Sequence, residues 1–165
     1  MSAARETVMK RLEELSIKYK VTEHEAVFTI SQMEKLGIGQ SGHVAKNLFL
    51  RDAKGKRHFL ITLCGDKQAD LKTLGSKLGG VRLSFASEER LERMLKLKKG
   101  SVTPLGVIND EANVVEIVLD MDLEREDHIG VHPNENTATV WLSYPDLCRY
   151  IESCGHSFTL SLIHI

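Results

Sequence analysis

Stretches with helical and with strand-like hydrophobic spacing are mixed along the chain. Val8, Leu12, Leu15 and Tyr19 share one face of a helix expected over Thr7 to Tyr19, with charge opposite. An extended piece follows at Lys20 to Glu23. A second helix is expected over Ser31 to Leu36, with Ser31 as N-cap, Glu34 at the capping-box spacing and Gly37 as the stop. Ala45 to Arg51 and His58 to Cys64 read as two strands of a hairpin, joined by the turn Asp52-Ala53-Lys54-Gly55. Asp70 to Leu78 is helical up to Gly79-Gly80, and Arg82 to Phe85 is a short strand. Ser87 caps a helix over Glu88 to Leu97, acidic first and basic last, as the helix dipole favours. Strands are expected at Leu105 to Ile108, Val114 to Leu119 and Thr137 to Leu142, the first two joined by a turn at Asn109 to Asn113. Pro145 opens a last helix over Asp146 to Ser153, closed by Gly155, and Phe158 to Ile165 is an apolar β-like tail. The order lacks the regular strand–helix alternation of a doubly wound sheet. It predicts a mixed α/β (α+β) fold, with a curved, partly barrel-like mixed sheet surrounded by helices.

Composition narrows the picture. With 165 residues the chain fits one domain, residues 1–165, able to bury about two-thirds of its unfolded surface. A net charge of −1 gives no global basic field, so any RNA is expected to be gripped at one end rather than coated. No apolar run approaches the roughly 20 residues of a membrane span, and the charged N-terminus lacks a secretory core. Cys64, Cys148 and Cys154 are odd in number and far apart, which suits a reducing cytoplasm better than disulfides or zinc. The carboxylates Asp120, Asp122, Glu124, Glu126 and Asp127 read as a solvated acidic turn, so no metal is expected.

Three segments carry the chemistry. Lys46 stands just ahead of an apolar strand after Gly42-His43-Val44-Ala45, where glycine lets backbone approach a ligand, and Asn47 adds an amide. Gly100-Ser101-Val102-Thr103-Pro104 can present main-chain N–H groups to a developing oxyanion or a phosphate, although the same pattern is an ordinary helix stop. Ser101 and Thr103 lack a strand-to-helix nucleophile elbow and a recognisable His/Asp pair. Gly130-Val131-His132-Pro133-Asn134 places a histidine in a loop rich in hydrogen-bonding groups. His24 and His43 are weaker candidates. Cys64 and Cys148 read as core rather than as nucleophiles.

Together these segments resemble the YbaK/ProX-type aminoacyl-tRNA deacylase family, free-standing relatives of the editing domain inserted in bacterial prolyl-tRNA synthetases. The resemblance runs from about His24 to Gly155. It rests on His24-Glu25-Ala26-Val27-Phe28-Thr29, Ala45-Lys46-Asn47-Leu48-Phe49-Leu50, the loop ending in Pro104, and Val131-His132-Pro133-Asn134 with Thr137-Ala138-Thr139-Val140. Lys46-Asn47 with His132-Pro133-Asn134 is similar to the ProX-like branch that removes alanine.

The resemblance implies metal-free, cofactor-free deacylation of alanine mischarged on proline tRNA, at the 3′ end of that tRNA. A synthetase pocket discriminates against a few missing methylenes by only ~1–3 kcal/mol, so a second sieve is needed. Lys46 would hold the terminal phosphate or the aminoacyl group, Gly100 to Thr103 the oxyanion, and Asn47 and His132 the ester or the amino group. Phe28, Thr29, Ile30, Val44, Pro104 and Asn134 would line the substrate site. His132 is assigned positioning, because no buried acid is visible to make it a general base. The alternatives are deacylation of another small aminoacyl-tRNA (cysteinyl, seryl or threonyl), a non-catalytic tRNA- or synthetase-binding module, and a hydrolase with a Ser or Cys nucleophile. Docking to prolyl-tRNA synthetase and the oligomeric state are left open.

Overall fold

The computed structural model describes residues 2–26, 30–35 and 42–161. Among the described residues, eight strands form one mixed sheet in the order β1-β7-β6-β2-β3-β5-β8, with β4 added to β2, and the sheet does not close. The strands are β1 (Lys20–Glu23), β2 (His43–Arg51), β3 (His58–Cys64), β4 (Ser84–Phe85), β5 (Val115–Asp120), β6 (Ile129–Val131), β7 (Ala138–Leu142) and β8 (Phe158–Ser161). The helices are α1 (Ala3–Glu14), α2 (Ile30–Lys35), α3 (Leu71–Lys77), α4 (Glu88–Leu95) and α5 (Tyr144–Ser153).

The hairpin of β2 and β3 is the centre of the sheet, because its residues are apolar on both faces. All seven residues of β3 are buried, as expected of a strand covered on both sides. Alternation sends Ala45, Phe49, Leu60 and Cys64 into a large core with α1, α4 and α5. It sends Leu48, Leu50, Ile61 and Leu63 to the opposite face, against Leu74 of α3 and Leu83.

Several elements differ from expectation for identifiable reasons. Helix α1 starts at Ala3, because Ser2 Oγ accepts from Arg5 N–H at 3.1 Å and caps it earlier than the apolar spacing suggests. Ser31 lies inside α2, which opens at Ile30, so it is not the N-cap. The strand expected over Leu105 to Ile108 is instead a 3-10 helix, Pro104–Asn109, started by Pro104 and by the Thr103 hydroxyl accepting from Leu105 N–H. Ile129–Val131, expected as loop, is strand β6, where Gly130 lies under the Trp141 ring with no room for a Cβ. The acidic turn is not uniformly solvated. Asp120 is fully buried and accepts from Cys64 N–H and from Lys67 Nζ, which also reaches Asp122 at 2.7 Å.

Candidate active site

Lys46 and Asn47 are neighbours on β2 and therefore aim at opposite faces. Val44 pairs with Gly130 of the parallel strand β6. Lys46, two residues on, shares the face of Val44, Gly130 and the Trp141 ring above it. Lys46 is half-buried, and no described residue makes a hydrogen bond or ion pair with its ammonium. Asn47 faces the large core, where Thr62 Oγ1 donates to its Oδ1 at 2.7 Å. The amide expected beside the cation is thus turned away from it.

His132 continues the line of β6 on the Lys46 side. Its Nδ1 lies 3.0 Å from the Ala138 carbonyl. A carbonyl only accepts, so Nδ1 carries the proton and the neutral ring offers Nε2 as an acceptor. No described residue bonds to that Nε2. Burial pushes the His132 pKa below the ordinary histidine value; the Ala138 bond opposes this and nearby His24 reinforces it. The ring is therefore neutral near neutral pH. His24 stands 6.2 Å away, ring to ring, with Nδ1 donating to Glu25 C=O and Nε2 at 2.9 Å from Thr139 Oγ1.

Pro133 is buried, and Asn134 beyond it is 7 % exposed with a left-handed backbone, φ 60°. Both Asn134 amide atoms are buried without a hydrogen-bond partner. Native proteins leave few such groups unmet, so this one calls for an explanation.

The glycine loop is tied to the same place. Thr103 Oγ1 donates to His132 C=O at 2.7 Å. That hydroxyl also accepts from Leu105 N–H at 3.2 Å, which leaves it nothing for nucleophilic work. Gly100 takes a positive φ of 85° that only glycine adopts without strain. Ser101 N–H is spent on Lys98 C=O at 3.0 Å, so the expected row of four amides reduces to Gly100, Val102 and Thr103. Ser101 is buried, Val102 is half-buried against the large core, and Pro104 is buried. Burial pushes the Cys64 thiol up to about 12, and that of Cys148 upward, so neither is a ready nucleophile.

Phe28 and Thr29 lie outside the described residues. Ile30 opens α2, and its side chain also lies outside them. Among the described residues no group of three or more His, Cys, Asp or Glu could hold a metal ion, and no helix is long and apolar enough to cross a membrane. Val44 pairs with Gly130 of β6, His132 and Asn134 follow that strand, and Thr103 bonds to His132, while Val102 of the same loop packs into the large core, on the face of β2 opposite Lys46. The Asn47 side chain is held away from Lys46. The locked tautomer of His132 was not legible in sequence, because the Ala138 carbonyl that fixes it comes from tertiary pairing. The chemistry offered is an unpaired cation, a neutral imidazole acceptor and main-chain donors, a set suited to an anionic or ester ligand rather than to covalent catalysis.

The pattern of the aminoacyl-tRNA editing domain matches residues 24–150. The chain is 49 % identical over 155 residues to the "Prolyl-tRNA editing protein ProX" of Acetoanaerobium sticklandii, covering 94 % of each chain. It is 27 % identical over 151 residues to the "Multifunctional Ser/Thr-tRNA deacylase ProXp-y" of Escherichia coli K12, covering 90 % of this chain and 88 % of the other. The crystal structure of a candidate trans-editing enzyme for prolyl tRNA synthetase superposes with a TM-score of 0.75 at 20 % identity, over 100 % of this chain and 99 % of that one.

Proposed function

Because this chain belongs to the aminoacyl-tRNA editing domain family, and so edits mischarged tRNA by ester hydrolysis, we propose that its substrate is alanine mischarged on proline tRNA. One arrangement supports the mechanism: Val44 pairs with Gly130 on parallel strands, so Lys46 and His132 each follow two residues on, and the His132 carbonyl accepts from Thr103. Lys46 fixes the terminal phosphate or the aminoacyl group. Water attacks the ester carbonyl, aided by the free hydroxyl of the terminal ribose, and the amides of Gly100, Val102 and Thr103 hold the oxyanion. Collapse of the tetrahedral intermediate breaks the ester C–O bond, and the released ribose oxygen takes a proton. No metal, cofactor or enzyme nucleophile takes part. His132 orients the amino group or the water through Nε2, with a main-chain carbonyl rather than an acid behind it. Val44 and Pro104 wall the alanine site, with Asn134 nearby; Phe28, Thr29 and Ile30 complete it in this reading. The work is done in the cytoplasm on the 3′ end of the tRNA, and delivery by prolyl-tRNA synthetase fits the structural neighbour described as a candidate trans-editing enzyme for prolyl tRNA synthetase.

A second reading keeps the chemistry and changes the amino acid, since the Escherichia coli relative is named for Ser/Thr-tRNA. The decisive experiment is a deacylation panel with alanyl-, cysteinyl-, seryl-, threonyl- and prolyl-tRNA, run on wild type and Lys46→Ala. Alanyl-tRNA(Pro) is expected to turn over fastest. Lys46→Ala is expected to lower kcat/KM by about 100-fold, the scale of one lost electrostatic contact in a transition state. Near-normal turnover by Lys46→Ala rejects the assignment. No turnover of any substrate by wild type makes the protein a binding module.

A further inference from the structure

Strand β2 changes partners along one edge. At its start His43 and Val44 pair with β6; at its end Leu50 and Arg51 pair with β4. His43 N–H donates to His128 C=O at 3.0 Å, and Phe49 C=O accepts from Ala86 N–H at 3.0 Å. Both bonds leave β2 on the side away from β3. In a strand the main-chain groups of alternate residues point to the same side. Ala45 and Asn47 therefore aim their main-chain groups at this edge too. No described residue outside the strand ladders bonds to the Ala45 carbonyl or to the Asn47 N–H and C=O, and the β6 pairing stops at Val44. The gap lies directly beside Lys46 and the end of β6, where His132 and the Thr103 loop meet.

A single residue fits such a gap. In an antiparallel pair two facing residues exchange both N–H···O=C bonds, and an alanyl ester carries the matching ammonium and carbonyl. We infer that the main chain of Asn47 binds the aminoacyl unit as a missing strand residue: its C=O accepts from the α-ammonium and its N–H donates to the ester carbonyl oxygen. This rests on the aminoacyl-ester reading above and deepens it. The carbonyl oxygen gains one more donor besides the glycine loop. The amino group is read by geometry as well as by size. The alanyl ammonium turns freely about its N–Cα bond and can aim a hydrogen at the Asn47 carbonyl. In a prolyl ester one position on nitrogen is the ring carbon and the rotation is locked. Recognition thus falls to the backbone of Asn47, while its side chain is held by Thr62 on the other face.

The test uses full-length labelled protein and a non-hydrolysable probe, 3′-alanylamido-3′-deoxyadenosine, with amide hydrogen exchange read by NMR. The Asn47 amide is expected to exchange at least tenfold more slowly with probe bound, and equally so in Asn47→Ala, which keeps the main chain. A probe with a propionyl group in place of alanyl lacks the ammonium and is expected to bind at least tenfold more weakly. Signals of Gly100, Val102 or Thr103 that respond while Asn47 exchange stays unchanged would overturn this inference and leave the proposed function standing. Protection lost in Asn47→Ala would assign the contact to the side chain and overturn it as well. No response anywhere in the site would overturn both.

Discussion

Asn134 carries two costs at once, a left-handed backbone and a buried amide without partners. Asparagine tolerates that backbone better than most residues. Each unmet buried polar atom nevertheless costs about 1–3 kcal/mol. Strain of this kind persists where function holds it in place, and Asn134 stands two residues from His132 in the loop after β6. Asn134→Gly relieves the backbone and removes the amide. It is expected to raise the thermal unfolding midpoint by a few degrees and to lower kcat/KM for alanyl-tRNA(Pro) by tenfold or more. Unchanged turnover together with a higher midpoint would make the amide a structural defect rather than a substrate contact. The residue type was legible in sequence as a hydrogen-bonding group, but its burial was not, because burial is set by tertiary packing that a loop's local pattern does not show. Thr103 teaches the reverse: a hydroxyl that reads as a candidate nucleophile is fully used in fastening the loop to His132.

Elements whose stability is local were legible, and those made by partners were not. His58–Cys64 is a run of apolar and β-branched residues after a glycine turn, and the structure has β3 over those same residues. β6 spans three residues with glycine in the middle, too short to show a period, and exists because β2 and β7 flank it. Pro104–Asn109 alternates like a strand, yet proline at its start and the Thr103 cap favour a tight helix. His58, at the head of β3, sets a pH dependence. It is buried against Phe49, and its Nε2 meets Arg90 Nη1 at 2.9 Å. Burial first, then Arg90 and Arg93, pushes its pKa below the ordinary 6.5. The unfolded chain therefore takes up a proton before the folded one does. Stability is complete above about 6.5 and is lost as pH falls from there towards the folded value, since the unfolded state then binds more protons. His132, also depressed, adds a loss of the same sign. Urea midpoints are expected to fall between pH 7 and pH 5.5, and His58→Leu to make that fall shallower. An equal fall in both proteins would remove His58 from the account.

At the scale of the whole molecule, 22 basic and 23 acidic side chains nearly cancel, so no long-range field draws RNA to the surface. Among the described residues, β2 leaves β6 before reaching β4, and Lys46, which has no described partner, sits at that break. In the function proposed above, the protein grips a chain end. Affinity for tRNA should then depend weakly on salt, because each phosphate neutralised on a single strand contributes a slope of only about −0.7 in log K against log salt. With a few phosphates of the 3′ end engaged, the expected slope is about −1 to −3 between 50 and 200 mM salt. A short hairpin ending in the same single strand should show nearly the same slope as full-length tRNA when binding is followed by fluorescence anisotropy. A slope of about −5 or steeper for tRNA, with a much smaller one for the hairpin, would mean that the protein lies along the body of the RNA. The break beside Lys46 would then be only part of its binding surface.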